Sequence, residues 1–135
     1  MIEINVLRSP KKEEFTRISY FNKRGFKYQS SVQNNNKSVN VMSSALAELV
    51  RYESVISVDT SYSSILPDVL SRAPESAPVS LGEKETIKLR VFVDKSILEV
   101  FVNEIQCISV RVYPSLKNST GVSFRSQGKD AELIS

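Results

Sequence analysis

The sequence predicts an all-β fold in which two antiparallel sheets pack face to face as a sandwich. Three observations carry this. Residues 89–114, LRVFVDKSILEVFVNEIQCISVRVYP, alternate in period two through three segments separated by two very short turns, the pattern of three adjacent antiparallel strands. Residues 66–81 hold Pro67, Pro74 and Pro78, which exclude a central strand and make the segment a long extended crossover. Short hairpin-linked strands flank that crossover, which suits a two-sheet sandwich, because a strand leaving one sheet must travel to reach the other.

The remaining elements follow in order. Residues 2–7 place Ile2, Ile4 and Val6 on one face against Glu3 and Asn5. Residues 15–21 set Phe15, Arg17, Ser19 and Phe21 against Thr16, Ile18 and Tyr20. Arg24-Gly25 then reads as a hairpin turn into a strand over 26–32, and 33–37 as a polar loop. Segments 38–42 and 47–52 read as strands by continuity with their neighbours, although 43–50 (SSALAELV) has helix-forming composition, with Ser44 ahead of Glu48. Residues 54–59 alternate cleanly, and 121–125 and 131–134 close the chain as strands.

Within 89–114, a turn at Asp94-Lys95 pairs Val91 with Leu98, Leu89 with Val100 and Ile87 with Val102, leaving Arg90 opposite Glu99 on the other face. A second turn at Asn103-Glu104 pairs Val102 with Ile105, Val100 with Cys107, Glu99 with Ile108 and Ile97 with Val110. Both faces are then apolar: Leu89, Val91, Leu98 and Val100 line one, and Phe92, Ile97, Phe101, Ile108 and Val110 the other. A sandwich sheet needs one such face for its own core, so the second set is expected to be a domain or subunit interface.

Composition narrows the chemistry. The 135 residues form one domain, 1–135, large enough to bury a core without staples. The net charge of +3 comes from 18 basic residues scattered among 15 acidic ones, which fits solubility rather than nucleic-acid binding. With one cysteine no internal disulfide forms, and Cys107 is expected as a packed thiol opposite Val100. With no histidine, Cys-His and Ser-His-Asp sites and the usual zinc sites are excluded. Asp59 and Asp68 lack the D-x-[DN]-x-[DN]-G calcium loop, so neither metal nor cofactor is expected. No signal peptide or membrane span opens the chain, and the compartment, cytoplasmic or exported, is left open.

Two constellations invite a functional reading. A retaining glycosidase needs two carboxylates about 5 Å apart. Glu99 facing Arg90 is a poor general acid, and Asp94 and Glu104 lie at opposite ends of a strand spanning roughly 30 Å, so no catalytic residue is expected. Tyr20, Tyr28 and Tyr62, with Phe21 and Phe26, form a candidate carbohydrate-binding platform, since aromatic rings stack on the apolar faces of sugars; packing in core and rim is the commoner fate.

VFVDKSILEVFVN (91–103), followed by a strand ending in RVYP, resembles the signature of the C-terminal β-sandwich module of glycoside hydrolase family 32, the invertase, levanase and inulinase group. Residues 58–94 resemble the segment leading into it, the likeness is dense over about 57–122 and weaker over 3–21, and 29–50 match nothing. The resemblance implies a jelly-roll or concanavalin-like sandwich excised from a larger β-fructosidase. Its active site would lie in a preceding five-bladed propeller with a W-M-N-D-P-N-G-like nucleophile motif, an R-D-P motif and a Glu-Cys acid/base. This chain has no Trp, no Arg-Asp-Pro and no Glu-Cys, and a propeller needs far more residues. The implied partner is that propeller, then an oligosaccharide or a second copy in a homodimer; nucleic acid and membrane are not expected. The alternatives are an autonomous carbohydrate-binding module and a lectin-like or fibronectin-like interaction domain.

Overall fold

A computed structural model describes residues 1–28, 50–69, 72–82, 85–128, 131, 132 and 134. The strands are β1 (Ile2–Arg8), β2 (Thr16–Tyr28), β3 (Val50–Asp59), β4 (Glu75–Val79), β5 (Leu89–Asp94), β6 (Ile97–Val102), β7 (Gln106–Arg111) and β8 (Gly121–Ser126). They form a five-stranded sheet in the order β4-β3-β2-β1-β8 and a three-stranded sheet in the order β5-β6-β7, antiparallel throughout. The fold is the expected all-β sandwich.

Alternation builds the core. Val6, Ile18, Tyr20, Ile56, Val58 and Val79 point inward from the large sheet, and Leu98, Val100, Val102 and Ile108 meet them from the small one, with Val112 just beyond β7. Each such side chain contributes on the order of 1.5–3 kcal/mol through burial. Leu98→Ala, at a fully buried position on the central strand of the small sheet, would cost about 2–5 kcal/mol.

Several expected boundaries are corrected. Arg24-Gly25 is not a hairpin turn: β2 runs unbroken for 13 residues along β3, with a register shift between Phe21 and Gly25 where Lys23 adopts φ 50°. Gly25 serves close approach instead, because a Cβ there would lie 2.4 Å from Val55 Cγ2 and 3.2 Å from the Glu53 carbonyl oxygen. The expected breaks between 47–52 and 54–59 merge into β3, and the readings for 29–49 fall outside the described residues. The proline-rich crossover contributes β4, with Pro78 opposite Val55, and β4 is an edge strand, where a residue lacking an N–H is tolerated. Ala131, Glu132 and Ile134 belong to no strand, contrary to the expected strand over 131–134.

The small sheet keeps one expected parity and loses the other. Its first loop is Lys95-Ser96, not Asp94-Lys95, so Val91 pairs with Val100 and Val93 with Leu98. Moving a two-residue loop by one position shifts every partner by two, and the faces are preserved. Arg90 therefore stands opposite Phe101, not Glu99, and its ion pair is with Glu104 at 3.3 Å.

The second connection takes three residues, Asn103 to Ile105, which pairs Val100 with Ile108 and Phe101 with Cys107 and reverses the expected parity of β7. Burial decides this: the expected register would have turned Cys107, Ser109 and Arg111 inward, whereas the observed one buries Ile108 and leaves Arg111 in water. Ile105, the extra residue, is 61% exposed. Asn103 and Glu104 both hold left-handed φ, 48° and 59°. Asn103 compensates with its side chain, which accepts from Lys88 N at 2.6 Å and donates to Glu85 Oε1 at 3.0 Å and to the Thr86 carbonyl at 3.1 Å, tying the turn to the segment that leads into β5.

Candidate functional site

The corrected register places Phe92, Ile97 and Phe101 on the outer face of the small sheet with Arg90, Glu99, Cys107, Ser109 and Arg111. Phe92 and Phe101 meet edge to face, with centroids 5.7 Å apart and planes at 89°. Phe92 is nonetheless 53% exposed and Ile97 42%. Of the five residues expected to form one interface, three share this surface. Ile108 and Val110 pack on the core side, because the third loop residue, Ile105, turns β7 over. Cys107 is likewise outward and exposed rather than packed, with Sγ 3.9 Å from Ser109 Oγ. The alternation of Ile108, Val110 and Val112 was the signal for this register, and it outweighs the turn-length rule that favoured the other.

No two of the candidate carboxylates converge. Glu99 faces Phe92 across the ladder and accepts a hydrogen bond from Ser109 Oγ at 3.4 Å. Asp94 ends β5 beside the first turn, and Glu104 lies in the turn at the far end of β6. Among the described residues no group of three His, Cys, Asp or Glu side chains is placed to hold a metal; Asp59 Oδ1 instead accepts from Ser61 N at 2.9 Å, a local turn contact.

The candidate sugar platform is not assembled. Tyr20 is a core residue, 6% exposed, and its hydroxyl donates to Ser54 Oγ at 3.0 Å. That serine also accepts from Lys23 N at 3.1 Å, so the tyrosine braces the irregular stretch of β2. Tyr28 pairs with Val50 through the backbone, and its side chain lies outside the described residues. Tyr62 is half exposed and stacks on Phe15 at 5.2 Å and 11°, with the Arg17 guanidinium 5.6 Å from its own centroid and 5.2 Å from that of Phe15. One face of the Tyr62 ring is thus already taken by Phe15.

The most elaborate polar site was not read from the sequence. Glu14, in the KKEEF run that looks like solvated charge, has no exposed surface. Its carboxylate accepts from Ser119 Oγ at 2.5 Å, Ser115 Oγ at 2.8 Å, Leu116 N at 2.8 Å, Ser115 N at 3.1 Å and Ile65 N at 3.3 Å. Burial alone would push this carboxyl up, but the bonds from Ser119, Leu116 and Ser115 outweigh it and hold the group below its ordinary range. With every lone-pair direction filled, Glu14 is a tie between three loops: the β1–β2 connection, the turn after β3 and the segment before β8. Only long-range contacts create it, so no local signal announces it.

Two packed antiparallel sheets, with an aromatic surface left open on one of them, define a β-sandwich module. The family described as "Glycosyl hydrolases family 32 C terminal" matches residues 1–135, and the chain belongs to it: it is a C-terminal module of the family 32 glycosidases. No curated protein matches the chain.

Proposed function

We propose that this module is the non-catalytic part of a glycosidase acting on β-fructosides of the sucrose, levan or inulin type, where it packs on the catalytic propeller of its own parent chain and stabilises it. The observation that carries this reading is the outer face of the small sheet. Leu98, Val100, Val102 and Ile108 already supply the inner face that the core requires, yet Phe92 and Ile97 stand in solvent on the other side. Exposed aromatic and aliphatic side chains grouped on one rigid sheet are the composition of an interface core. Arg90 and Glu104, paired at 3.3 Å and both exposed, lie beside the rings as a polar rim. Linkage specificity belongs to the propeller, and this chain contributes position and stability.

Two measurements test this. The 135-residue chain incubated with sucrose, levan and inulin should release no fructose; release that disappears on changing Asp94 or Glu99 would overturn the non-catalytic reading. In the parent enzyme, Phe92→Ser with Ile97→Ser should lower the melting temperature of the propeller, and an unchanged value would show that this face is not the docking surface.

A further inference from the structure

The two sheets do not end level. β7 lies beside β4, and from there the small sheet, ordered β5-β6-β7, spans three strands where the large one spans five. β8 therefore projects beyond β5 on the opposite side of the sandwich. Val122 and Phe124 are on its core-facing side, since Phe124 pairs with Ile4, which packs on the core, yet they are 69% and 40% exposed. Val93, on the core-facing side of β5, is 45% exposed as well. We propose that a second copy of this chain fills the step through a two-fold axis parallel to the strands, so that β8 of each copy pairs with β5 of the other.

Backbone geometry selects that occupant. Met1 and Gln127 exchange both of their bonds, each 2.9 Å, so in the alternation of an antiparallel ladder Arg125 and Ser123 also bond β1, and Val122, Phe124 and Ser126 turn their N–H and C=O groups outward. On β5 the 2.9 Å bond from Asn103 N to the Lys88 carbonyl fixes Arg90 and Phe92 as residues that bond β6, and Leu89, Val91 and Val93 turn outward. Among the described residues neither edge has a second neighbour. In both strands the outward-bonding residues are the core-facing ones, as residues that stand opposite each other in an antiparallel pair must be. Ile87 and Gln127 line one cleft at the same end of the sandwich, so β5 begins where β8 ends and the two run antiparallel. A two-fold axis along the strands exchanges large and small sheets and keeps strand direction. Each large sheet then continues into the small sheet of the other copy, and the two projecting β8 strands stack on each other across a shared core. None of these outward-bonding positions holds the proline or charge that usually blocks edge pairing, whereas β4 has Pro78.

Charge sets the register. Level ends would put Arg125 opposite Arg90 of the second copy, like charges in direct apposition. A step of two residues removes this, sets Phe124 opposite Val93 and Ser123 opposite Asp94, and leaves Arg125 diagonal to Asp94. Strands of six residues are about 20 Å long and stacked sheets lie about 10 Å apart. Two such seams and the overlap of the β8 strands bury on the order of 1,000 Å² in total, the lower limit for a specific dimer, so association in the micromolar range is expected. The edge is separate from the outer face of Phe92 and Ile97, and the proposal does not rest on the function proposed above.

Sedimentation of the 135-residue chain over roughly 1–300 μM should show a monomer–dimer equilibrium with a dissociation constant in the micromolar range. Val93→Lys and Phe124→Lys, which charge the two edges, should each weaken it about tenfold or more while the melting temperature of dilute protein stays within a few degrees of wild type. Arg125→Asp and Asp94→Arg should each weaken it about threefold, because two-fold symmetry repeats the pair, and the double variant should restore it. A chain that stays monomeric throughout, a dimer that keeps its affinity in both lysine variants, or single-swap losses that the double variant does not recover overturns the proposal.

Discussion

At the corner around Glu14 a carboxylate with no exposed surface is ringed by five donors, whereas on the outer face of the small sheet a phenyl ring and an isoleucine stand in water. The usual distribution of polarity is inverted at both places, for one reason. A group is stable where its partners are, whatever its own polarity. The corner is complete within this chain: three loops bring serine hydroxyls and backbone N–H groups to the charge. On the open face, Phe92 meets Phe101 edge to face and still leaves about half of its surface in water. The module is therefore closed on itself at its loops and open on one sheet, and the surface proposed for a partner lies in a different region from the contacts that close the loops.

The largest test of this contrast is removal of the buried charge. Glu14→Ala strands the donors of Ser115, Leu116 and Ser119 in a dry site and should cost about 3–5 kcal/mol in urea unfolding. A loss below about 1 kcal/mol would mean that water enters the corner. The pH dependence has a defined sign. The folded carboxyl lies below its ordinary value of 4.5, so its contribution is full above that value and is lost as pH falls through the lower folded value. Glu14→Gln should therefore be less stable than wild type at neutral pH, with the gap narrowing below pH 4.5. A gap that stays constant with pH would show that the charge is not what stabilises the corner.

How much of these two regions the sequence disclosed differs for a physical reason. Strand alternation is local, so the sandwich and the aliphatic inner face of β5 and β6 are legible directly, and the prolines of 66–81 exclude a central strand there without disclosing the edge strand β4. The outer face is legible in part: parity puts Phe92, Ile97 and Phe101 together, while a two-residue second turn puts Ile108 and Val110 on the wrong side, against the Ile108-Val110-Val112 pattern. The Glu14 corner joins residues about a hundred positions apart, and no period or motif marks such a contact. Tyr20 misled for the opposite reason, since an aromatic on an alternating strand is placed on a face by parity, but which face meets the core depends on the partner sheet.

A second test asks how far the closed character extends from the corner. Gly25→Ala would put a Cβ 2.4 Å from Val55 Cγ2, and a β-branched neighbour on a paired strand yields little. A cost of about 1–3 kcal/mol is expected. The double variant Gly25→Ala with Val55→Ala should recover part of it, which a double-mutant cycle in urea would measure. Additive losses would show that the strain arises at the Glu53 carbonyl, 3.2 Å away, or in the backbone itself.

The third test is on the open side. In the isolated module Phe92→Ser and Ile97→Ser should each change stability by no more than about 0.5–1 kcal/mol, because neither side chain is sealed against another element. They should lower binding of a hydrophobic dye and any self-association beyond a dimer seen by sedimentation. Losses of several kcal/mol would mean that these residues belong to the core, and the contrast between closed loops and open sheet would fail.

The smallest expected effect is at Cys107, which the sequence places in the core and the three-residue loop ending at Ile105 moves outside. Its exposure, opposite Phe101 on the edge strand β7, predicts complete modification by a thiol reagent in the folded protein, before any unfolding. Cys107→Ser should alter stability by less than about 0.5 kcal/mol, since no packed volume is removed. In the parent enzyme the same thiol becomes a reporter of the outer face. If the propeller covers Phe92 and Phe101, protection of Cys107 should rise in the parent and be lost again in the Phe92→Ser, Ile97→Ser variant. A thiol silent in the isolated module until denaturant is added would restore the two-residue turn, bring Cys107 back beneath the sheet, and take Ile108 and Val110 out with Phe92.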